Sequence, residues 1–282
     1  MTIKALKEFF QDELGRIYPK EEILSFFYLL SEAYLSKSRI DLALTPILEV
    51  NPDQETSFLK ALEQLKMEYP IQYIIGYTEF MDLVFEVNEQ VLIPRPETEE
   101  LIRWTLASTS KKTNNTILDI GTGSGCIPIV LAKHLPESSI EAIDVSATAL
   151  EVATRNARRH EVVINFIQND ILKMDTLQND YDIIVSNPPY VRESEKKLMR
   201  DNVLRYEPDL ALYVSDTDPL LFYKQIAKLA AKGLKPNGYL YFEINQYLGA
   251  ALCELLESLD FKNIELKKDI YGADRMIRAV KN

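Results

Sequence analysis

Between residues 115 and 243 the chain repeats one arrangement: a short run rich in β-branched and aromatic residues, then a helical pattern or loop, then another such run. The runs are TILDI, SIEAID, INFIQND, YDIIVSN and YLYFEI. Such alternation restricts the fold severely, because a helix between two strands returns the chain parallel to its start and covers one face of the sheet. It predicts a doubly wound, largely parallel α/β sheet with helices on both faces. FKNIELKKD and RMIRAVKN close the chain with only IYGAD between them. That final hairpin inserts one antiparallel strand at an edge. In open sheets of this kind ligands bind beyond the carboxyl ends of the strands, so the residues just after each run are where chemistry is sought.

The first 70 residues follow a different period. In YPKEEILSFFYLLSEAYL, Pro19 stands near a helix start with acids in the first turn, and Ile23, Phe26, Phe27, Leu30 and Tyr34 recur at helical spacing. PDQETSFLKALEQLKMEY repeats the pattern through Phe58, Leu62 and Leu65. These stripes describe the core of a small all-helical domain, or a groove that docks a partner. FMDLVFEVNEQVLIP then alternates, with Asn88 as turn candidate, and reads as a β-hairpin; Pro96 opens the next helix. The expected organisation is a helical domain over 1–72, a β-hairpin linker over 73–95 and the α/β domain over 96–282.

Composition removes several function classes. No apolar stretch approaches the roughly 18–20 residues that span a bilayer. The opening MTIKALKEFFQDEL is charged and amphipathic rather than a leader, so a cytoplasmic protein is expected. Cys126 and Cys253 are the two cysteines and stand far apart, giving neither a disulfide framework nor a zinc site. His134 and His160, the two histidines, lie on predicted helices among charged neighbours and read as solvated. Neither histidine catalysis nor a protein-bound metal is expected. The formal net charge is −11, of which residues 1–75 carry −4 and the remainder −7. Neither part offers a basic face for phosphates, so the expected partner is a protein or small molecule, not nucleic acid or a membrane.

The ends of the first four runs carry the signals. LDIGTGSG (118–125) follows the first, and Gly121, Gly123 and Gly125 permit positive φ and close approach of a ligand to the backbone. Cys126 replaces the last glycine of a G-x-G-x-x-G dinucleotide fingerprint, and no Gly-Lys-Ser/Thr of a P-loop follows. Asp119, just before the loop, either faces a ligand amine or holds the turn. Asp144, 23 residues beyond Gly121, ends the second run, where a carboxylate can accept from both ribose hydroxyls; otherwise it is a loop acid or helix cap. Asp170 ends the third and either takes an adenine amine, with Ile171 packing on the ring, or is a solvated loop acid. After the fourth comes SNPPY (186–190), which no strand continues because prolines donate no backbone hydrogen bond. Four sites in order at one sheet edge leave chance a poor explanation.

This combination resembles the class I S-adenosylmethionine-dependent methyltransferases, with a Rossmann-like sheet. NPPY narrows the likeness to enzymes that methylate a planar amide or exocyclic amine nitrogen. LIPRPETEEL (92–101), LDIGTGSGCIPI (118–129), SNPPY, RYEPDLAL (205–212) and YGADRMI (271–277) follow in order behind a helical domain. Together they resemble the protein-(glutamine-N(5)) methyltransferases of peptide chain release factors, the PrmC/HemK type. The resemblance implies S-adenosyl-L-methionine as cofactor, S-adenosyl-L-homocysteine as product, a release factor as protein partner and a monomer. It puts Gly121, Thr122, Gly123, Ser124 and Gly125 around the methionine part, Asp144 on the ribose, and Asp170 and Ile171 at the adenine. Asn187 borders the cofactor, and Asn187, Pro188, Pro189 and Tyr190 hold the substrate glutamine, expected in a Gly-Gly-Gln loop. It also casts the helical domain as the substrate-recognition part. Two departures stand out: Ile171 where an aromatic residue can occur, and FEINQ in place of Glu-His-Gly after the fifth run. Glu243 is accordingly read as a solvated strand end.

An amide nitrogen is a poor nucleophile, since its lone pair is delocalised into the carbonyl. Two acceptors aimed at its N–H bonds fix the NH2 and favour pyramidalisation. Asn187 supplies a side-chain oxygen, Pro188 a backbone carbonyl, and Tyr190 a flat wall; these dipoles also stabilise charge developing on nitrogen. No general base is required before attack. Arg95, Glu97, Arg205 and Glu207 either shape the substrate entrance or pair with one another. Two alternatives remain within the chemistry: a ribosomal-protein glutamine, or an exocyclic amine of adenine or cytosine. Charge and the missing target-reading region count against the latter. A non-catalytic cofactor-binding scaffold and a dehydrogenase both leave NPPY without a purpose.

Overall fold

The computed structural model describes residues 1–45, 47–109 and 114–282. Two compact units emerge: Met1–Tyr77 with Arg200–Tyr206, and Thr78–Met199 with Glu207–Asn282.

The first unit contains α1 (Ile3–Leu14), α2 (Lys20–Leu35), α3 (Arg39–Leu44), α4 (Pro52–Lys66) and α5 (Ile71–Ile75). Each start has a local cause. Thr2 caps α1, Pro19 precedes α2 with Glu21 and Glu22 in the first turn, and Asn51 and Gln54 form a reciprocal capping box on α4. The apolar stripes meet in a core built on Phe10, Phe27 and Phe58, with ring centroids 5.5–6.0 Å apart.

The second unit opens with the hairpin β1 (Tyr77–Phe80) and β2 (Leu83–Glu86), followed by α6 (Pro96–Thr109), β3 (Thr116–Ile120), α7 (Cys126–His134), β4 (Ser139–Asp144), α8 (Ala147–Arg159), β5 (Asn165–Gln168) and β6 (Tyr181–Ser186). A two-residue parallel pair, β7 (Val191–Arg192) and β8 (Tyr213–Val214), brackets α9 (Asp201–Tyr206), which belongs to the helical unit, and α10 (Asp209–Leu212). Then come α11 (Leu221–Gly233), β9 (Leu234–Glu243), α12 (Gly249–Ser258), β10 (Phe261–Lys268) and β11 (Asp274–Lys281).

The main sheet has seven strands in the order β10-β11-β9-β6-β3-β4-β5. It is parallel except for β11, which sits one in from the edge, antiparallel to β9 and β10. Both faces are covered. Leu118 and Ile120 of β3 join one buried cluster and Ile117 joins the other, the alternation a strand imposes. The chain winds outward from β3 to β4 and β5, then returns to β6 on the other side, so the switch point lies at β3 and β6. Register lines up the strand ends: Ile120 pairs with Ile143 and Ser186, Asp144 with Gln168, and Ser186 with Phe242.

Three sequence-based expectations give way here. The hairpin turns at Met81 and Asp82, both at positive φ, rather than at Asn88. Such a two-residue turn needs left-handed backbone at both central positions. Asn88 instead folds the chain beyond β2, accepting from the Gln90 backbone N–H. His160 is not a solvated helix residue: Nε2 meets the Val84 carbonyl at 2.8 Å and the ring lies against Phe85. Glu243, read as a solvated strand end, is 1% exposed. Among the described residues no helix is long and apolar enough to cross a membrane, and no cluster of potential metal ligands forms.

Candidate active site

The carboxyl ends of β3, β4, β5 and β6 open on one cavity of about 390 Å3, within the usual range for small-ligand sites. Its floor is the loop after β3. Gly121 and Thr122 donate to the Ile143 carbonyl at 2.8 and 3.2 Å, which pulls the loop across to β4. Gly121 and Gly123 have φ of +78° and +54°, and around the place of a Cβ at Gly123 there is no atom within 4 Å. The backbone there faces open space that a ligand can enter. Gly125 has a different duty: a Cβ would meet Ala153 and Ile129 at 3.0 and 3.1 Å, so its bareness lets α7 pack against α8.

Asp144 closes the loop from the side. Its Oδ2 accepts from Gly123 N at 2.8 Å and its Oδ1 from Ser146 N at 2.9 Å, while burial raises its pKa. Each oxygen retains a second lone pair, and Asp144 lines the cavity. Asp170 caps a short 3-10 turn by accepting from Leu172 N at 3.0 Å and pairs with Lys173 at 2.9 Å; that ammonium holds its carboxyl below the usual range. Ile171 lines the wall beside it.

Thr122, Ser124 and the segment 187–189 complete the lining, together with stretches around Leu92–Arg95 and Pro208–Ala211. Of the residues the resemblance puts at the cofactor or the substrate glutamine, Gly125 and Tyr190 stand outside that lining, as do Asp119, Glu97, Arg205 and Glu207 among the other candidates. Tyr190 packs on the core, its hydroxyl donating to Glu243 Oε1 at 3.0 Å. Asn187 Nδ2 donates to Thr98 Oγ1 at 3.2 Å, and Thr98 donates to Glu243 Oε2 at 2.6 Å. Glu243 and Thr98 were not among the residues singled out for the site. A signal existed for the first: Glu243 ends the fifth run in the same row as the other four sites.

The hairpin is tied into this site. Asn156 of α8 is fully buried, and its side chain donates to the Ser124 and Glu86 carbonyls at 2.9 and 3.0 Å while accepting from Glu86 N at 2.7 Å. One amide thus fixes the glycine loop to β2. Asn156→Ala strands these buried groups and is expected to destabilise the protein by about 2–3 kcal/mol, read as a lower urea midpoint. Of the charges in the linker and in RYEP, Arg95 meets the buried Glu207 at 2.5 Å and Arg205 pairs with Asp201 within α9.

Beneath the loop, both carboxylate oxygens of Asp119 and the Thr122 hydroxyl are buried without hydrogen-bond partners. Burial pushes the Asp119 carboxyl up to about 7. An acid left unpaired under an open, glycine-floored cavity suits a cofactor that brings positive charge. S-adenosylmethionine, with its ammonium and sulfonium, fits that description, and strand-end acids beyond β4 and β5 suit a nucleoside.

A model of the methyltransferase small domain matches residues 101–205. The crystal structure of a methyltransferase from Pyrococcus furiosus shares the fold, with a TM-score of 0.53 at 15% identity over 82% of this chain and all of its own. With the strand order and the cavity, these define a class I methyltransferase. The PrmC N-terminal domain model matches residues 8–76. The release factor glutamine methyltransferase of Flavobacterium psychrophilum is 54% identical over 99% of each chain, and that of Bacteroides thetaiotaomicron 40% identical over 96% of this chain and 97% of its own. The chain belongs to the release factor glutamine methyltransferase family.

Proposed function

We propose that this protein transfers the methyl group of S-adenosyl-L-methionine to the side-chain amide nitrogen of a glutamine in a peptide chain release factor, in a Gly-Gly-Gln loop, leaving S-adenosyl-L-homocysteine. The observation that carries the reading is the Asn187 amide. Its Nδ2 is committed to Thr98, so Oδ1 remains as an acceptor at the cavity wall, next to a Pro188 carbonyl that no described donor meets. Two acceptors side by side at the end of a strand are what an incoming NH2 group requires.

When bound, the cofactor supplies an electrophilic methyl group on a sulfonium. The chain's residues do the rest. Gly121–Ser124 receive the methionine part, Asp144 the ribose, and Asp170 with Ile171 the adenine. Asn187 Oδ1 and the Pro188 carbonyl take the two N–H bonds of the substrate amide, turning the nitrogen lone pair out of conjugation and toward the methyl. Their dipoles are fixed before reaction and favour the positive charge that develops on nitrogen. Acceleration on this reading comes from orientation and preorganised polarity. Pro189 stiffens the turn, and Tyr190, outside the cavity lining and bonded to Glu243, braces that turn from behind.

The helical unit engages the body of the release factor, because a short loop alone offers little contact area. The enzyme acts as a monomer in the cytoplasm, where release factors work. The test supplies purified protein and methyl-labelled donor with release factor, ribosomal protein and DNA in parallel. Label on the release-factor glutamine alone is expected. Label on the ribosomal protein or on DNA instead would overturn the reading.

A further inference from the structure

We propose that Glu243 is a positioning residue that sets the hydrogen-bond polarity of the substrate clamp, acting on Asn187 through Thr98. This rests on the reading of Asn187 Oδ1 as an acceptor for the substrate amide. Neither Glu243 nor Thr98 reaches the reacting atoms on that reading, yet between them they decide which way the Asn187 amide faces.

The geometry is a directed chain. Thr98 Oγ1 stands 2.6 Å from Glu243 Oε2 and 3.2 Å from Asn187 Nδ2. All of it is sheltered, with Glu243 1% and Thr98 3% exposed. A carboxylate only accepts, and a hydroxyl has one proton. Glu243 therefore takes the Thr98 proton and leaves Thr98 only lone pairs to offer Asn187. An amide meeting a lone pair must present its NH2, so Oδ1 is the end left for a substrate. Were Glu243 a neutral amide, it could donate to Thr98. The Thr98 proton could then go to Asn187 Oδ1, and the Asn187 NH2 would face the substrate NH2, donor against donor.

Glu243 is held for this task from several sides. The Tyr190 hydroxyl occupies Oε1 at 3.0 Å. The next residue, Ile244, donates its N–H to the Arg275 carbonyl at 2.8 Å, and the Arg275 side chain pairs with Asp269 at 3.0 Å. Burial raises the Glu243 pKa and the Glu97 charge adds to that rise, while the two hydroxyl donors and the Arg275 charge oppose it and favour the carboxylate. The YGADRMI segment thereby acquires a physical purpose: it anchors the end of β9 and brings a cation near Glu243. Thr98 lies in the first turn of α6, which Pro96 starts, so the linker motif delivers the middle of the chain.

Glu243→Gln is close to isosteric and isolates polarity from packing. With labelled S-adenosylmethionine and release factor, its kcat is expected to fall ~10–100-fold, with cofactor binding and melting temperature unchanged. Thr98→Ser keeps the hydroxyl and should stay within about threefold of the parent, whereas Thr98→Val should lose as much as Glu243→Gln. On a Thr98→Ala background, Glu243→Gln should add less than about threefold, since the connection is already cut. Parental kcat in Glu243→Gln, or an undiminished penalty on the Thr98→Ala background, would overturn the proposal. Should Glu243→Gln misfold, parental kcat in Thr98→Val does the same. Asn187→Ala separates the two readings: normal turnover there removes the clamp itself, while impaired turnover beside a normal Glu243→Gln removes only the relay. A substrate-free readout stands beside these. Exchange of the Asn187 side-chain NH2 protons, followed by 15N NMR, should be slow in the parent and faster in Glu243→Gln; equal rates would count against the relay whatever the substrate.

Discussion

Replacing Asn187 by alanine is expected to lower turnover by ~10²–10³, the scale on which removing one preorganised dipole slows a reaction that develops charge. Cofactor affinity should change little, because the glycine loop and the strand-end acids after β4 and β5 are untouched. The loss belongs in kcat more than in KM. An acceptor for N–H bonds gains strength as nitrogen becomes positive, so it favours the transition state over bound substrate. Asn187→Asp is the informative companion: it keeps an acceptor near the same place but adds a charge and abolishes the donation to Thr98, so it should recover only part of the loss. Single-turnover methylation with saturating cofactor distinguishes the outcomes. Turnover within a fewfold of the parent in Asn187→Ala would remove Asn187 from the chemistry.

The same side chain shows how far the sequence could be read. Alternating β-rich runs with helices between them specified the sheet, and the residues after those runs proved to be neighbours because parallel strands in register end together. That is why Gly121, Asp144, Asp170 and Asn187, spread over 66 positions, surround one cavity. What stayed illegible depends on side chains meeting across long sequence separations. Glu243 ends a run just as the others do, but an acid at a strand end is usually solvated. Only the approach of Thr98, 145 residues earlier, and of Tyr190 shows that it is buried and bonded. The hairpin turn was hidden for a different reason. Met81 and Asp82 carry no glycine or Asn-Gly signal, and the left-handed backbone is imposed by pairing and by Glu99, which accepts from the Met81 N–H at 2.9 Å.

The charged residues of the linker and of RYEP show the same division. Their types alone allowed either substrate contact or mutual pairing. In the structure Glu207 is buried, bonded to Arg95 and to the backbone of Ile93. A buried carboxylate without its cation would be costly, so Arg95 holds the segment 92–95 and the segment after residue 207 together along the cavity wall. For Arg95 and Glu207 the structure thus shows mutual pairing, with Arg95 also lining the cavity.

The Asp119→Asn variant should bind S-adenosylmethionine more weakly and yet be more stable without it. The carboxyl is fully buried, neither oxygen has a partner, and burial carries it up to about 7. In an unfolded chain an aspartate titrates near 3.9. The folded pKa is the raised one, so the associated penalty is absent below about pH 4, where both states are protonated. It grows as pH rises from about 4 to about 7, and above that it is complete, on the order of 4 kcal/mol as an upper bound. Asparagine has no proton to lose, so the variant's stability should fall less steeply across that window; the remaining slope includes Asp144, whose pKa burial also raises. Urea midpoints at pH 5 and pH 8 test this, with the largest gain expected at pH 8. Binding should move the other way. A cationic ligand above the loop recovers the energy of an ionised Asp119 and recovers less from a neutral amide, so affinity should drop roughly 10–100-fold, as for one charge-assisted contact. For the parent, affinity should rise with pH through about 7 as Asp119 ionises, and the variant should lack that rise. Equal stability at pH 8 with unchanged affinity would mean that the acid has a partner in solution and takes no part in holding the cofactor.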